Sequence, residues 1–150
     1  MIALLAVMLL DAATAPPVLL ADWKIAPTQS AEEYARYMRH EQDGTDSAIS
    51  GSRKVCNCQL DEAVQLVQKV FANVPGASTR HDSIAACGHD AERVLITGVA
   101  NQQDDSRRNI EVVWFRDGPA LYMLMYAFRY AAPMPDAESA LITLCPTQPS

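Results

Sequence analysis

Two runs, Ile110-Glu-Val-Val-Trp-Phe115 and Leu121-Tyr-Met-Leu-Met-Tyr-Ala-Phe128, separated by Asp117-Gly118, decide the reading of the fold. In the first, Ile110, Val112 and Trp114 alternate with Glu111, Val113 and Phe115, the period of a strand whose side chains point to opposite faces. Asp117-Gly118 tolerates the positive φ of a tight hairpin turn. Beyond it Tyr122, Leu124, Tyr126, Phe128 and Tyr130 alternate with Leu121, Met123, Met125, Ala127 and Arg129, which reads as a long third strand. Its rival is a buried helix over residues 119–131, because a run apolar on every side does not fix its own period. Upstream, Arg93-Val-Leu-Ile-Thr-Gly-Val-Ala100 is β-branched and supplies a further strand, joined to the next by the polar stretch 101–109.

Helical signals flank this sheet. Leu60, Ala63, Val64, Val67, Val70, Phe71 and Val74 repeat at three- and four-residue spacings, with Asp61 and Glu62 in the first turn and Pro75-Gly76 at the end, so a central helix runs over 60–74. Ser30-Ala-Glu-Glu33 fits a capping box and predicts a helix over 31–41, narrowly amphipathic through Tyr34, Tyr37 and Met38. Residues 42–54 carry Gly, Ser, Asp and Thr without a period and read as a long recognition loop. Asp136 is placed to cap a last helix through Ala137, Ala140, Leu141 and Leu144. The expected architecture is α+β in two layers, an antiparallel sheet of about three strands covered by helices in the order α-α-β-β-β-α, stapled by disulfides.

The chain has 150 residues, 49% of them hydrophobic, with 12 Lys+Arg against 18 Asp+Glu. That composition suits one globular domain, and a formal charge of −6 excludes a dedicated nucleic-acid binder, since nothing neutralises a run of phosphates. Residues 2–10 form an unbroken apolar run, too short to span a bilayer as a helix, followed by Ala13-Thr14-Ala15, small residues that a leader peptidase accepts. Residues 1–15 are read as a signal peptide and 16–150 as the mature domain, although no Lys or Arg precedes Lys24 and Pro16 is awkward for cleavage. The alternatives are an uncleaved anchor and a buried first element. Export places the chain in the periplasm or outside the cell.

The cysteines are Cys56, Cys58, Cys87 and Cys145. An even count in an exported chain implies two disulfides. A bond between Cys56 and Cys58 would close a very small ring, so the expected pairings join each of them to Cys87 or Cys145, in either of two connectivities. The alternative is a metal site in which Cys56, Cys58, Cys87 and His89 supply three thiolates and an imidazole for Zn²⁺ or Cu(I). A third reading makes Cys58 a reactive thiol at a helix start.

Catalytic motifs are missing from the sequence. His81-Asp82-Ser83 contains the residue types of a triad, but adjacent side chains diverge and a triad is defined by converging geometry. No phosphate loop, nucleophile elbow or dinucleotide fingerprint occurs. The row Tyr122, Tyr126, Phe128 and Tyr130 is read as core, with a ligand- or partner-facing surface as the alternative. The function expected is that of a small, acidic, exported, non-catalytic binding or accessory module without a cofactor. Its partner would be an unidentified protein or small molecule, with neither nucleic acid nor, after leader cleavage, membrane involved.

Overall fold

A computed structural model describes residues 22–100, 107–129 and 132–146. The leader assignment over 1–15 and Tyr130 lie outside them. The described residues form a seven-stranded antiparallel sheet with two short helices, in place of the three-stranded α+β layer expected. In chain order the elements are β1 (Lys24–Ile25), β2 (Glu33–His40), β3 (Asp46–Val55), α1 (Leu60–Ala72), β4 (Ser78–Ala86), β5 (His89–Ala100), β6 (Arg107–Asp117), β7 (Ala120–Phe128) and α2 (Pro135–Ile142). The spatial order is β1-β2-β3-β7-β6-β5-β4. A β2–β3 hairpin and a four-strand meander, β4 to β7, therefore join through the β3–β7 pair, with α1 as the connection between them.

The expected helix over 31–41 is strand β2. Ala35, Tyr37 and Arg39 are buried in alternation, and the Glu33 carboxylate that suggested a capping box instead takes the Gln29 N–H at 3.2 Å and the Arg36 guanidinium at 2.6 Å. The expected loop 42–54 is a short turn followed by β3 in the middle of the sheet. Gly44, at φ +85°, lets the Glu41 N–H reach the Thr45 carbonyl, and Asp43 Oδ1 accepts from Thr45 N–H and Oγ1. The unassigned stretch after Pro75 is edge strand β4. It turns into β5 through Cys87 and Gly88, both at positive φ as a two-residue primed turn requires. The hairpin forms, but its two turn residues are Gly118, at φ +58°, and Pro119, with Asp117 still paired as the last residue of β6, and residues 120–128 are strand.

Sheet register sorts the core into two faces. Under α1 lie Val94, Ile96, Val112 and Trp114, met by Leu60, Val64, Val67 and Phe71 from the predicted stripe. On the opposite face Ile49, Val113, Phe115, Leu124, Tyr126 and Phe128 pack against Ala137, Leu141 and Leu144 of α2 and the chain that follows it. Both faces of the sheet thus carry buried cores, one beneath each helix. Trp23, just before β1, is part of the α2-side core.

Candidate functional site

All four cysteines are oxidised, as Cys56–Cys58 and Cys87–Cys145. The cross-linked pairings expected from sequence are not formed. Cys56 and Cys58 follow β3, whereas Cys87 lies in the β4–β5 turn, and three strands stand between β3 and β4. The first pair leads into α1 on one face of the sheet, while Cys87 packs against the α2-side core on the other. Cys145 instead comes to Cys87 because α2 returns the chain across the sheet, and the Cys87 N–H donates to the Ile142 carbonyl at 3.0 Å. The thiolate–imidazole set of Cys56, Cys58, Cys87 and His89 is not assembled: His89 stacks on Phe115 at 5.2 Å between ring centroids and faces Asp117 at 3.8 Å. Among the described residues no cluster of three metal-ligating side chains occurs.

The aromatic row lies inward. Tyr122, Tyr126 and Phe128 are buried, Tyr122 stacks on Phe115 at 4.8 Å and Tyr126 on Phe128 at 4.5 Å. Burial pushes the Tyr126 hydroxyl up to about 12 and that of Tyr34 higher still.

The other side of the same strand is different. Cross-strand partners share a face, which lays out rows running Met38, Ala48, Ala127, Ile110 and Arg36, Ser50, Met125, Val112, then Ser52, Met123, Trp114. Their β6 ends enter the core beneath α1, and Leu121 and Met123 pack against it. α1 packs on β4, β5 and β6, while α2 meets β7 and β3 from the opposite side. Ala48, Ser50, Met125 and Ala127 are consequently only half-buried, and Met38 is 40% exposed. The result is a surface of small and thioether side chains across β2, β3 and β7, with Arg36, His40, Asp46 and Lys54 on the same face around them.

Two polar clusters emerge, one hidden in the sequence and one that adds Glu92 to His81 and Ser83. Arg39, 4% exposed, lies over the Trp23 ring at 4.4 Å and bonds Glu41 at 2.8 Å and Asp136 at 2.6 Å, with Asp22 at 3.4 Å. Arg39 and its three carboxylate partners line a shallow 760 Å³ cleft with His40 and Met134. On the α1 face, His81 and Ser83, two apart on β4, both reach Glu92 of β5: His81 Nε2 at 2.6 Å, and Ser83 Oγ at 2.9 and 3.1 Å. The serine proton goes to the carboxylate rather than to the imidazole, so the nucleophile–base contact of a hydrolase is not made. Asp82 points to the opposite face, where Arg93 holds its carboxyl below the usual range.

No family model matches the chain, and no curated protein matches it. Several solved structures resemble it in fold, among them the following two. PA94 of Pseudomonas aeruginosa, a protein of unknown function, is 15% identical with a TM-score of 0.58, covering 85% of this chain and 99% of its own. LpqN, involved in cell envelope biogenesis of Mycobacterium tuberculosis, is 15% identical with a TM-score of 0.51, covering 75% of this chain and 68% of its own. No helix among the described residues is long and apolar enough to cross a membrane. The two disulfides are compatible with an exported protein.

Proposed function

We propose that this is an exported binding or accessory module that engages a partner protein on the half-covered face of β2, β3 and β7. The observation carrying this reading is the set of rows through Met38, Ala48, Ser50, Met125 and Ala127, a continuous sheet surface that α1 leaves half-exposed. Methionine suits adaptable apolar contact, because its unbranched, polarisable side chain repacks easily. A protein fits such a surface better than a small molecule, which takes a concave site that encloses most of its area. Residues 1–15 act as the leader in this reading, and the disulfides form after export. The likeness in fold to an envelope-biogenesis protein agrees with that compartment.

A photo-crosslinking residue placed at Ser50 in the exporting cell tests the surface, with Arg80 on the edge strand as control. A discrete adduct from Ser50 alone, lost in Met38→Glu/Met125→Glu, is the expected result. No adduct, or equal adducts from both positions, removes the proposal. The mass of the exported chain tests the compartment: it should begin near Pro16 and fall four hydrogens below the reduced value.

A further inference from the structure

We propose that Cys56–Cys58 is a thiol–disulfide exchange site for the dithiol of a partner protein, separate in role from Cys87–Cys145. The two bonds differ in what they hold. Cys87–Cys145 joins positions 58 apart, and Cys87 packs against the α2-side core. Cys56–Cys58 encloses only Asn57, which is exposed, between two half-exposed cysteines and beside Val55, itself 63% exposed. Accessible disulfides that pin no part of the fold are the ones available for exchange.

Hydrogen bonds that do not involve the sulfurs also hold this segment. The Arg116 guanidinium donates to the carbonyls of Cys58, Cys56 and Gly118, and the Cys56 N–H donates to the Pro119 carbonyl at 3.2 Å. Opening the bond leaves both thiols on a fixed backbone, within reach of each other for reoxidation. Arg116 places a cation beside the pair, and Cys58 lies two residues before α1, whose N-terminal N–H groups favour a thiolate; Asp61 and Glu62 in its first turn act in the opposite sense.

Exchange balances as follows. A partner thiolate attacks Cys56 Sγ, the Cys56–Cys58 bond breaks, and Cys58 leaves as a thiolate that takes up a proton. The partner's second thiol, deprotonated, then attacks its own sulfur in the mixed disulfide, closing the partner's disulfide and releasing Cys56, which is protonated in turn. Two electrons and two protons pass from the partner dithiol to the Cys56/Cys58 pair. A more oxidising protein disulfide of the same compartment takes them back.

The test uses the oxidised full chain and a synthetic peptide with two thiols. The peptide disulfide should form in a stoichiometric burst at least tenfold faster than with Cys56→Ser/Cys58→Ser, and alkylation with mass mapping should find Cys56 and Cys58 reduced while Cys87–Cys145 stays closed. Should the double variant misfold, wild type alone still decides the matter in a glutathione titration, where the Cys56/Cys58 pair should open first. A rate equal to that of the folded double variant, or Cys87–Cys145 opening first, overturns the assignment.

Discussion

Arg93 on β5 reaches the carboxylate of Glu111 on β6 at 3.5 Å beneath α2. Glu111 is 1% exposed, and the same guanidinium also holds Asp82 at 2.5 Å and faces Glu138 of α2 at 3.9 Å. One cation therefore serves three carboxylates.

The pH dependence follows from that shortage of positive charge. Burial first, and the neighbouring Glu138 second, raise Glu111 to about 7, against a lesser opposing pull from Arg93. The folded state prefers the protonated acid, so its stabilising contribution is full below the unfolded value near 4.5 and is lost as pH rises through 7. Glu111→Gln keeps the shape without the charge. It should be about 2 kcal/mol more stable than wild type at pH 8 and nearly equal to it at pH 4.5, as urea unfolding at the two pH values would show. A parallel offset at both would contradict a raised Glu111.

Arg39 carries the opposite dependence. Its hydrogen bond holds the Asp136 carboxyl below the ordinary carboxylate value, so this contribution is present above the unfolded pKa and lost as pH falls through the folded one. Arg39→Leu takes the guanidinium away from Glu41, Asp136 and the Trp23 ring together, and should cost about 3 kcal/mol at pH 7. The penalty should shrink in acid. Denaturation of the variant at pH 3 and pH 7 measures both statements.

The Arg39 cluster also explains part of what the sequence hid. β2 points Ala35, Tyr37 and Arg39 inward, and a charged residue at a buried position breaks the apolar alternation that identifies a strand. β3 was obscured by small residues, since its buried positions are Ser47, Ile49 and Gly51. β4, at the sheet edge, alternates polar residues on both faces, as protected edges do. By contrast α1 was legible from the helical spacing of Leu60, Val64, Val67 and Phe71, and the β6–β7 hairpin from two apolar runs either side of a turn, although β6 buries residues on both faces. The site was partly legible. The alternation on β7 separated Met123 and Met125 from Tyr122 and Tyr126, but the exposed side needed β2 and β3 beside it before it became a surface.

The two disulfides should differ in their effect on stability. Cys87–Cys145 closes a loop across 58 positions, and Cys87→Ser/Cys145→Ser should lower stability by about 4 kcal/mol on chain-entropy grounds. Cys56→Ser/Cys58→Ser removes a three-residue ring and should cost no more than about 2 kcal/mol. Thermal unfolding of the two double variants makes the comparison directly. Equal losses would show that the small ring also holds the fold.

Gly51 and Tyr34 supply the last prediction. Gly51 lies on β3, and its need for glycine is spatial rather than conformational, because a Cβ there would overlap the Tyr34 ring. Tyr34 fills that space for a reason: its hydroxyl donates to the Leu144 carbonyl at 2.6 Å, and its ring meets Tyr122 edge-on at 6.3 Å. The residue it secures precedes Cys145, so this hydrogen bond and the Cys87–Cys145 bond hold the same segment after α2. Gly51→Ala should displace the ring, break the hydrogen bond and cost about 2–3 kcal/mol. Tyr34→Phe, which loses only the hydroxyl, should cost about 1 kcal/mol. If the overlap is the cause, Gly51→Ala made in a Tyr34→Ala background should cost much less than in wild type, a coupling that a double-mutant cycle by urea denaturation reads out. Additive costs would place the penalty in the strand backbone and not in the ring.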